Sequence, residues 1–195
     1  MSDDETLRVY ARKAQEYANL TAAQDDPLLK TFINALPKAA QVLDLGCGPG
    51  DAARQMAEAG LNVTATDAVP EMVALANAHD GVNAKCARFE DIRGINLFDG
   101  IWANFSLLHA PRQDMPRHLA ALKSALKPTG LFHIALKSGS GHTRDALGRL
   151  YTYYTEAELT GLLSDAGFHV KDHTTGRDLG LDGTYANWIA LRAYG

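Results

Sequence analysis

The chain has 195 residues, 46% of them hydrophobic and 22% charged, and a formal net charge of −4. This is ordinary globular composition, long enough for one substantial core. With no run of Lys or Arg, it excludes electrostatic capture of nucleic acid or of an anionic membrane surface as the main activity.

No stretch approaches the length of a membrane span. The acidic start, Met1-Ser2-Asp3-Asp4-Glu5, is unlike a secretory signal. Cys47 and Cys86 make neither a metal spacing nor a disulfide framework, so no metal site is expected. The expectation is a cytoplasmic protein, monomer or homodimer, with one domain over 1–195 and residues 1–37 as a helical cap.

In chain order, good helix formers predict a helix over 7–20 and another over 28–36, stopped by Pro37. Strand 41–44 leads to helix 51–59, which Gly60 ends. Strand 61–66 places Leu61, Val63 and Ala65 on one face and leads to a helix from Pro70 to about 78. Strands 82–86 and 98–103 follow, then helix 115–126. Lys127-Pro128-Thr129-Gly130 reads as a turn into strand 131–137. A helix starts near Thr155 and Glu156 and ends at Gly167. Strands 168–173 and 186–193 close the chain, joined by a loop over 174–185 with turn formers Gly176, Asp178, Gly180 and Gly183. The alternation predicts an α/β fold, a parallel sheet with helices on both faces. The last two strands lack a helix between them, so one must run antiparallel.

The most informative stretch is Val42-Leu43-Asp44-Leu45-Gly46-Cys47-Gly48-Pro49-Gly50. An apolar strand ends in an acid, and three glycines at alternate positions bring a ligand close to bare backbone. Strand, glycine loop and helix open a nucleotide-binding βαβ unit. A pyrophosphate fingerprint needs a third Gly where this chain has Asp51. Asp44 is likewise wrong for phosphate and right for a cation.

The stretch closely resembles motif I of the class I S-adenosylmethionine-dependent methyltransferases. That resemblance implies a Rossmann-like fold, a seven-stranded mostly parallel sheet with one antiparallel strand, and S-adenosylmethionine as cofactor. It covers nearly the whole chain and is nearest in character to small bacterial type 11/12 or tellurite-resistance-like methyltransferases. Motif I would contribute Asp44, Gly46, Cys47, Gly48 and Gly50. Asp67, nineteen residues after Gly48, would hold the ribose, with Ala68 and Met72 beside the adenine. As a ribose ligand Asp67 should matter to binding and little to folding; its other reading is a cap ahead of Pro70.

Cys86-Ala87-Arg88-Phe89-Glu90-Asp91 lacks the family's usual Gly-Asp-Ala, so the Phe89 backbone and the Glu90 side chain are the candidates for the adenine edge. The stretch from Phe98 to His109 resembles motif IV and offers Asn104 and Phe105 to the methionine end of the cofactor. His109 is either a general base or a structural loop histidine. Tyr10 and Tyr17, seven apart, share a helix face that either covers the cofactor or only packs; Tyr17 is the cofactor candidate. Beyond the fifth strand, Ser138-Gly139-Ser140-Gly141 suggests a mobile loop. Lys137, Arg144, Tyr151, Tyr153 and Tyr154 around it suggest an acceptor pocket, with Tyr153 a second catalytic candidate.

The chemistry these features imply is methyl transfer to a small-molecule acceptor. A noncatalytic S-adenosylmethionine- or S-adenosylhomocysteine-binding protein is the alternative. The chain has no Asn-Pro-Pro-Tyr-type tetrapeptide after its fourth strand, which argues against a nucleic-acid substrate.

Overall fold

A computed structural model describes residues 3–21 and 26–195. Two helices, α1 (Asp4–Thr21) and α2 (Pro27–Asn34), precede the sheet. The Asp26 side chain caps α2, accepting from the backbone N–H of Leu28 at 2.8 Å and Leu29 at 3.2 Å, with Pro27 in the first turn. Alternating strands and helices follow: β1 (Gln41–Leu45), α3 (Asp51–Glu58), β2 (Asn62–Asp67), α4 (Pro70–Ala76), β3 (Ala84–Cys86), β4 (Phe98–Asn104), α5 (Met115–Ala125) and β5 (Leu126–Lys137). The short strands β6 (His142–Arg144) and β7 (Leu150–Thr152) come next, then α6 (Glu156–Asp165), β8 (His169–Leu179) and β9 (Tyr185–Tyr194).

Seven strands form one sheet in the order β3-β2-β1-β4-β5-β9-β8. All neighbours are parallel except β9, which runs antiparallel to β5 and β8. The central strands are buried on both faces, as a parallel sheet covered by helices requires. On one face Leu43, Ile101, Phe132 and Ile134 pack with Leu119 and Leu163 of α5 and α6. On the other, Val42 and Trp102 pack with Leu29 and Phe32 of α2. Chain order reverses between β1 and β4, so a crevice opens past their C-terminal ends, where ligands sit in such sheets.

The expected fold is present, and three local readings need correction. Lys127–Gly130 is not a turn ahead of β5 but part of it. Phe98 pairs with Leu126 and Gly100 with Leu131, so the intervening residues bulge out of the ladder. The stretch 174–179 is strand rather than loop, because β9 supplies a pairing partner for every residue from Thr174 to Leu179. The Gly/Ser stretch after Lys137 is tied down. Ser138 N–H donates to the Asn187 carbonyl at 2.9 Å and Gly139 N–H to that of Tyr154 at 3.1 Å, ahead of the β6–β7 hairpin.

Candidate active site

The glycine loop leaves β1 with Gly46, Gly48 and Gly50 all at positive φ. The N–H groups of Gly46 and Cys47 donate to the Thr66 carbonyl at 2.7 and 2.9 Å, fastening the loop to β2. Gly46 must be bare, because a Cβ there would lie 2.4 Å from the Ser106 Cβ. Gly50 has a different task from the one expected. It lines none of the clefts described below, and a Cβ on it would stand 2.8 Å from Ala76, so it lets α3 and α4 approach.

Asp67 combines a structural role with a place on the crevice wall. Its carboxylate accepts from Gly48 N–H and from Val69 N–H, each at 2.9 Å, and it lines the crevice. It therefore braces the glycine loop and the start of α4, and the expectation that it matters little to folding is corrected. Asp44 is 2% exposed, and its Oδ2 has no hydrogen-bond partner. Burial, with the nearby Asp67 carboxylate second, pushes its pKa up to about 7.

Three clefts meet above the C-terminal ends of β1 and β4. The first is walled by Gly46, Gly48, Asp67, Ala68, Met72 and Phe89. The second runs past Asp44, Cys47, Asp51, Trp102 and Asn104. The third lies towards β5 and β9, between Lys137, Tyr151, Leu181 and Trp188. Tyr17 of α1 borders all three, and Tyr10, Phe105 and His109 are common to the first and third. Phe105 has φ of +53°, a left-handed conformation that bulky residues rarely adopt, at the junction itself.

α1 forms the roof. Thr6, Tyr10 and Tyr17 lie on the side facing the clefts. The helix is held from several directions. Ala14, Leu7 and Tyr17 pack on Val69 and Met72. Leu150 N–H donates to Thr6 Oγ1 at 2.8 Å. Arg144 grips the Asp3 carboxylate through two bonds of 2.7 and 2.9 Å.

His109 is half-buried, and its desolvation lowers its pKa to about 4. Nδ1 lies 2.6 Å from the Leu150 carbonyl, which can only accept, so Nδ1 carries the proton. Nε2 then offers a lone pair to the Tyr10 hydroxyl at 2.9 Å. That hydroxyl in turn accepts from Arg149 Nη1 at 3.0 Å. Arg149 is 1% exposed and is neutralised by Asp145, whose Oδ2 lies 2.9 Å from Nε and 2.7 Å from Nη2. On the other side of the junction, His133 stacks on Trp102 at 3.7 Å and holds Asn104 Oδ1 at 3.1 Å, which turns the Asn104 amide NH₂ away from it.

Of the expected site residues, Tyr17, Asp44, Gly46, Cys47, Gly48, Asp67, Ala68, Met72, Phe89, Asn104, Phe105 and His109 come together at the junction. Lys137 and Tyr151 line the third cleft. The others do not join them. Glu90 lies outside the clefts and bears electrostatically on His118. Arg144 is committed to the roof helix. Tyr153 packs its Cβ near Gly139, and Tyr154 is buried beneath the Arg112 guanidinium, 4.4 Å from its ring centroid. Among the described residues no group of three His, Cys, Asp or Glu converges as a metal site would, and no helix is long and apolar enough to cross a membrane.

Sequence reasoning passed over Trp188 and Ser106, read Tyr10 only as part of a helix face that either covers the cofactor or packs, and placed Arg149 only in the neighbourhood of the acceptor pocket. For Tyr10 a signal existed: Thr6, Tyr10 and Tyr17 fall on one face at spacings of four and seven. Trp188 carried none, since its place depends on the register of β9.

A family model described as a methyltransferase domain matches residues 42–130. A ubiquinone biosynthesis O-methyltransferase of Xanthomonas axonopodis pv. citri (strain 306) is 28% identical over 178 residues, 75% of this chain and 71% of that protein. A malonyl-[acyl-carrier protein] O-methyltransferase of Pseudescherichia vulneris is 32% identical over 139 residues, 67% of this chain but 53% of its own length. Among solved structures, the Burkholderia thailandensis 1,6-didemethyltoxoflavin-N1-methyltransferase, with bound 1,6-didemethyltoxoflavin and S-adenosylhomocysteine, superposes with a TM-score of 0.78 at 25% identity. That match covers 98% of this chain and 88% of that one.

The sheet order and the glycine-loop crevice, together with these likenesses, define a Rossmann-like methyltransferase. Its likenesses are to the class I S-adenosylmethionine-dependent methyltransferases, and S-adenosylmethionine is its cofactor.

Proposed function

We propose that the chain methylates a small molecule held in the cleft between β5, β9 and α1, with the cofactor across the first two clefts. The observation that carries this reading is the shared junction, where Tyr17 borders all three spaces and Phe105 stands between cofactor and acceptor sides.

The residues present fit S-adenosylmethionine. Asp67 has lone pairs to spare beyond its two backbone bonds and suits a ribose diol. Ala68, Met72 and Phe89 offer an apolar shelf for adenine. The orphaned Asp44 Oδ2 is the counter-charge that a cationic amino-acid end needs, and the amide NH₂ of Asn104 suits its carboxylate. When bound, the cofactor supplies a methyl group already activated on a positive sulfur.

What the chain adds is alignment and exclusion of water. Tyr10, Tyr17 and Phe105 frame the passage between cofactor and acceptor. His109 acts here as a positioning residue. Its free lone pair is occupied by Tyr10, and desolvation, with Arg149 and Lys137 nearby, opposes a proton on its ring. The free cysteines suit a reducing compartment, and the cytoplasm is the proposed location.

Ala186 borders only the third cleft, so Ala186→Trp fills that space alone. The variant should keep S-adenosylhomocysteine affinity and lose methyl transfer in an acceptor screen that follows S-adenosylhomocysteine release. Parallel loss of both would mean that the clefts are wrongly apportioned.

A further inference from the structure

The third cleft has a chemistry of its own. Its cations are Arg149 and Lys137. The Arg149 guanidinium is spent on Asp145 and the Tyr10 hydroxyl. Among the described residues Lys137 makes no ion pair within 4 Å, and the Asp182 and Asp145 carboxylates act on it only from farther off. Its ammonium sits 3.8 Å from the Tyr151 ring centroid, over the face of that ring. A ring quadrupole steadies a cation without neutralising it. Burial also draws the Lys137 pKa below the usual lysine range. A partly desolvated ammonium in an aromatic pocket is completed by an anion.

Beside it stands a fixed flat wall. Lys137 and Trp188 are directly paired across β5 and β9, so their side chains leave the same face of the sheet. The indole is held in three ways. Nε1–H donates to the Asp178 carboxylate at 2.6 Å. The ring meets Phe105 edge-on, with centroids 6.1 Å apart and planes at 83°. Its strand partner in β8 is Gly176, where a Cβ would come within 2.2 Å of the indole. Gly176 is thus bare because the indole lies against it.

We propose that the acceptor is a flat aromatic molecule carrying a carboxylate, its ring lying along Trp188 and its carboxylate paired with the Lys137 ammonium. The opposite end of such a molecule points towards Phe105 and the Tyr10–His109 pair, which also border the first cleft. This inference rests on assigning the third cleft to the acceptor.

The test uses the full chain saturated with S-adenosylhomocysteine, whose binding is measured first. Failure at that stage defeats the cofactor assignment and not the acceptor class. Hydroxylated benzoates and naphthoates are then titrated by calorimetry against their neutral carboxamides. The acids should bind, with the carboxamides at least about tenfold weaker, as expected for loss of one partly buried charge pair. Lys137→Met should erase that preference while S-adenosylhomocysteine affinity and melting temperature hold. Trp188→Leu should weaken acids and carboxamides alike. Equal binding of acids and carboxamides, a preference that survives Lys137→Met, or no binding by any member of either series would each overturn the proposal.

Discussion

If Asp44 receives the cationic end of the cofactor as proposed, cofactor binding should be a proton-linked event. In the free protein its carboxyl is buried and partnerless at Oδ2, with Asp67 nearby, and its pKa is pushed up to about 7. A cationic amino group beside it favours the ionised form, so the pKa falls on binding and a proton leaves. The sign follows. Below pH 7 the free site holds a proton that binding must expel, and affinity falls as pH falls. With a free-state pKa near 7, about three quarters of the sites are ionised at pH 7.5 and about 3% at pH 5.5, roughly a 25-fold difference in affinity, or about 2 kcal/mol. Calorimetry with S-adenosylhomocysteine at pH 5.5, 6.5 and 7.5, in buffers of different ionisation enthalpy, reads both the affinity and the protons released. Asp44→Asn should bind more weakly at pH 7.5 and show a flat profile. A wild-type affinity that is constant across this range, with no buffer-dependent enthalpy, would refute the reasoning.

Other outcomes follow from the same geometry. Asp67→Ala should cost about 2–4 kcal/mol of S-adenosylhomocysteine affinity and also lower folding stability by about 2–5 kcal/mol, since the Gly48 and Val69 N–H groups lose their acceptor; Asp67→Asn, read by the same calorimetry and thermal melts, should lose less stability. Gly50→Ala forces a side chain into positive φ against Ala76 and should destabilise by about 2–4 kcal/mol in denaturant melts, with ligand affinity changed only as far as folding is. Arg144→Ala frees the Asp3 end of α1 and should speed S-adenosylhomocysteine release in stopped-flow displacement, with little change in melting temperature because the pair is exposed. If His109 holds Tyr10 rather than acting as base, Tyr10→Phe and His109→Phe should lower transfer by similar factors, and the rate should show no acid limb between pH 5.5 and 7.5 assignable to His109, whose pKa lies near 4.

The parts legible in the sequence are those set by short-range rules. The glycine loop, Asp67 at the end of β2, the Pro70 start of α4 and the Thr155 cap of α6 are each fixed by a few neighbouring residues. In that cap Thr155 Oγ1 accepts from Glu158 N–H at 3.2 Å, and the Glu158 carboxylate accepts from Thr155 N–H at 2.8 Å. Such signals were enough to bring together residues that line the first two clefts. The lining of the third cleft was less legible because long-range pairing decides it. Turn-forming residues at Gly176 and Asp178 argue for a loop, yet both lie in β8, one receiving the Trp188 indole and the other its N–H. Local propensity points one way there, and the β9 register points the other and prevails.

The three tyrosines show the same limit at a single turn of chain. Tyr151, Tyr153 and Tyr154 are interchangeable as a sequence string, but strand geometry separates them. Tyr151 sits within β7 and faces the third cleft beneath the Lys137 ammonium. Tyr153 and Tyr154 lie past the end of β7, where the chain turns towards the cap of α6, and that turn carries both away from the cleft. Arg144 and Arg149 divide in the same manner. The β6–β7 hairpin holds one at the protein surface, clamped to α1, and buries the other beneath the junction. A short hairpin with no strong sequence signature therefore sets both the roof of the site and the charge of its floor. Variation in the β8–β9 register that places Trp188 can reshape the third cleft while leaving the glycine loop intact, whereas variation in the hairpin also reaches the α1 roof over the first cleft.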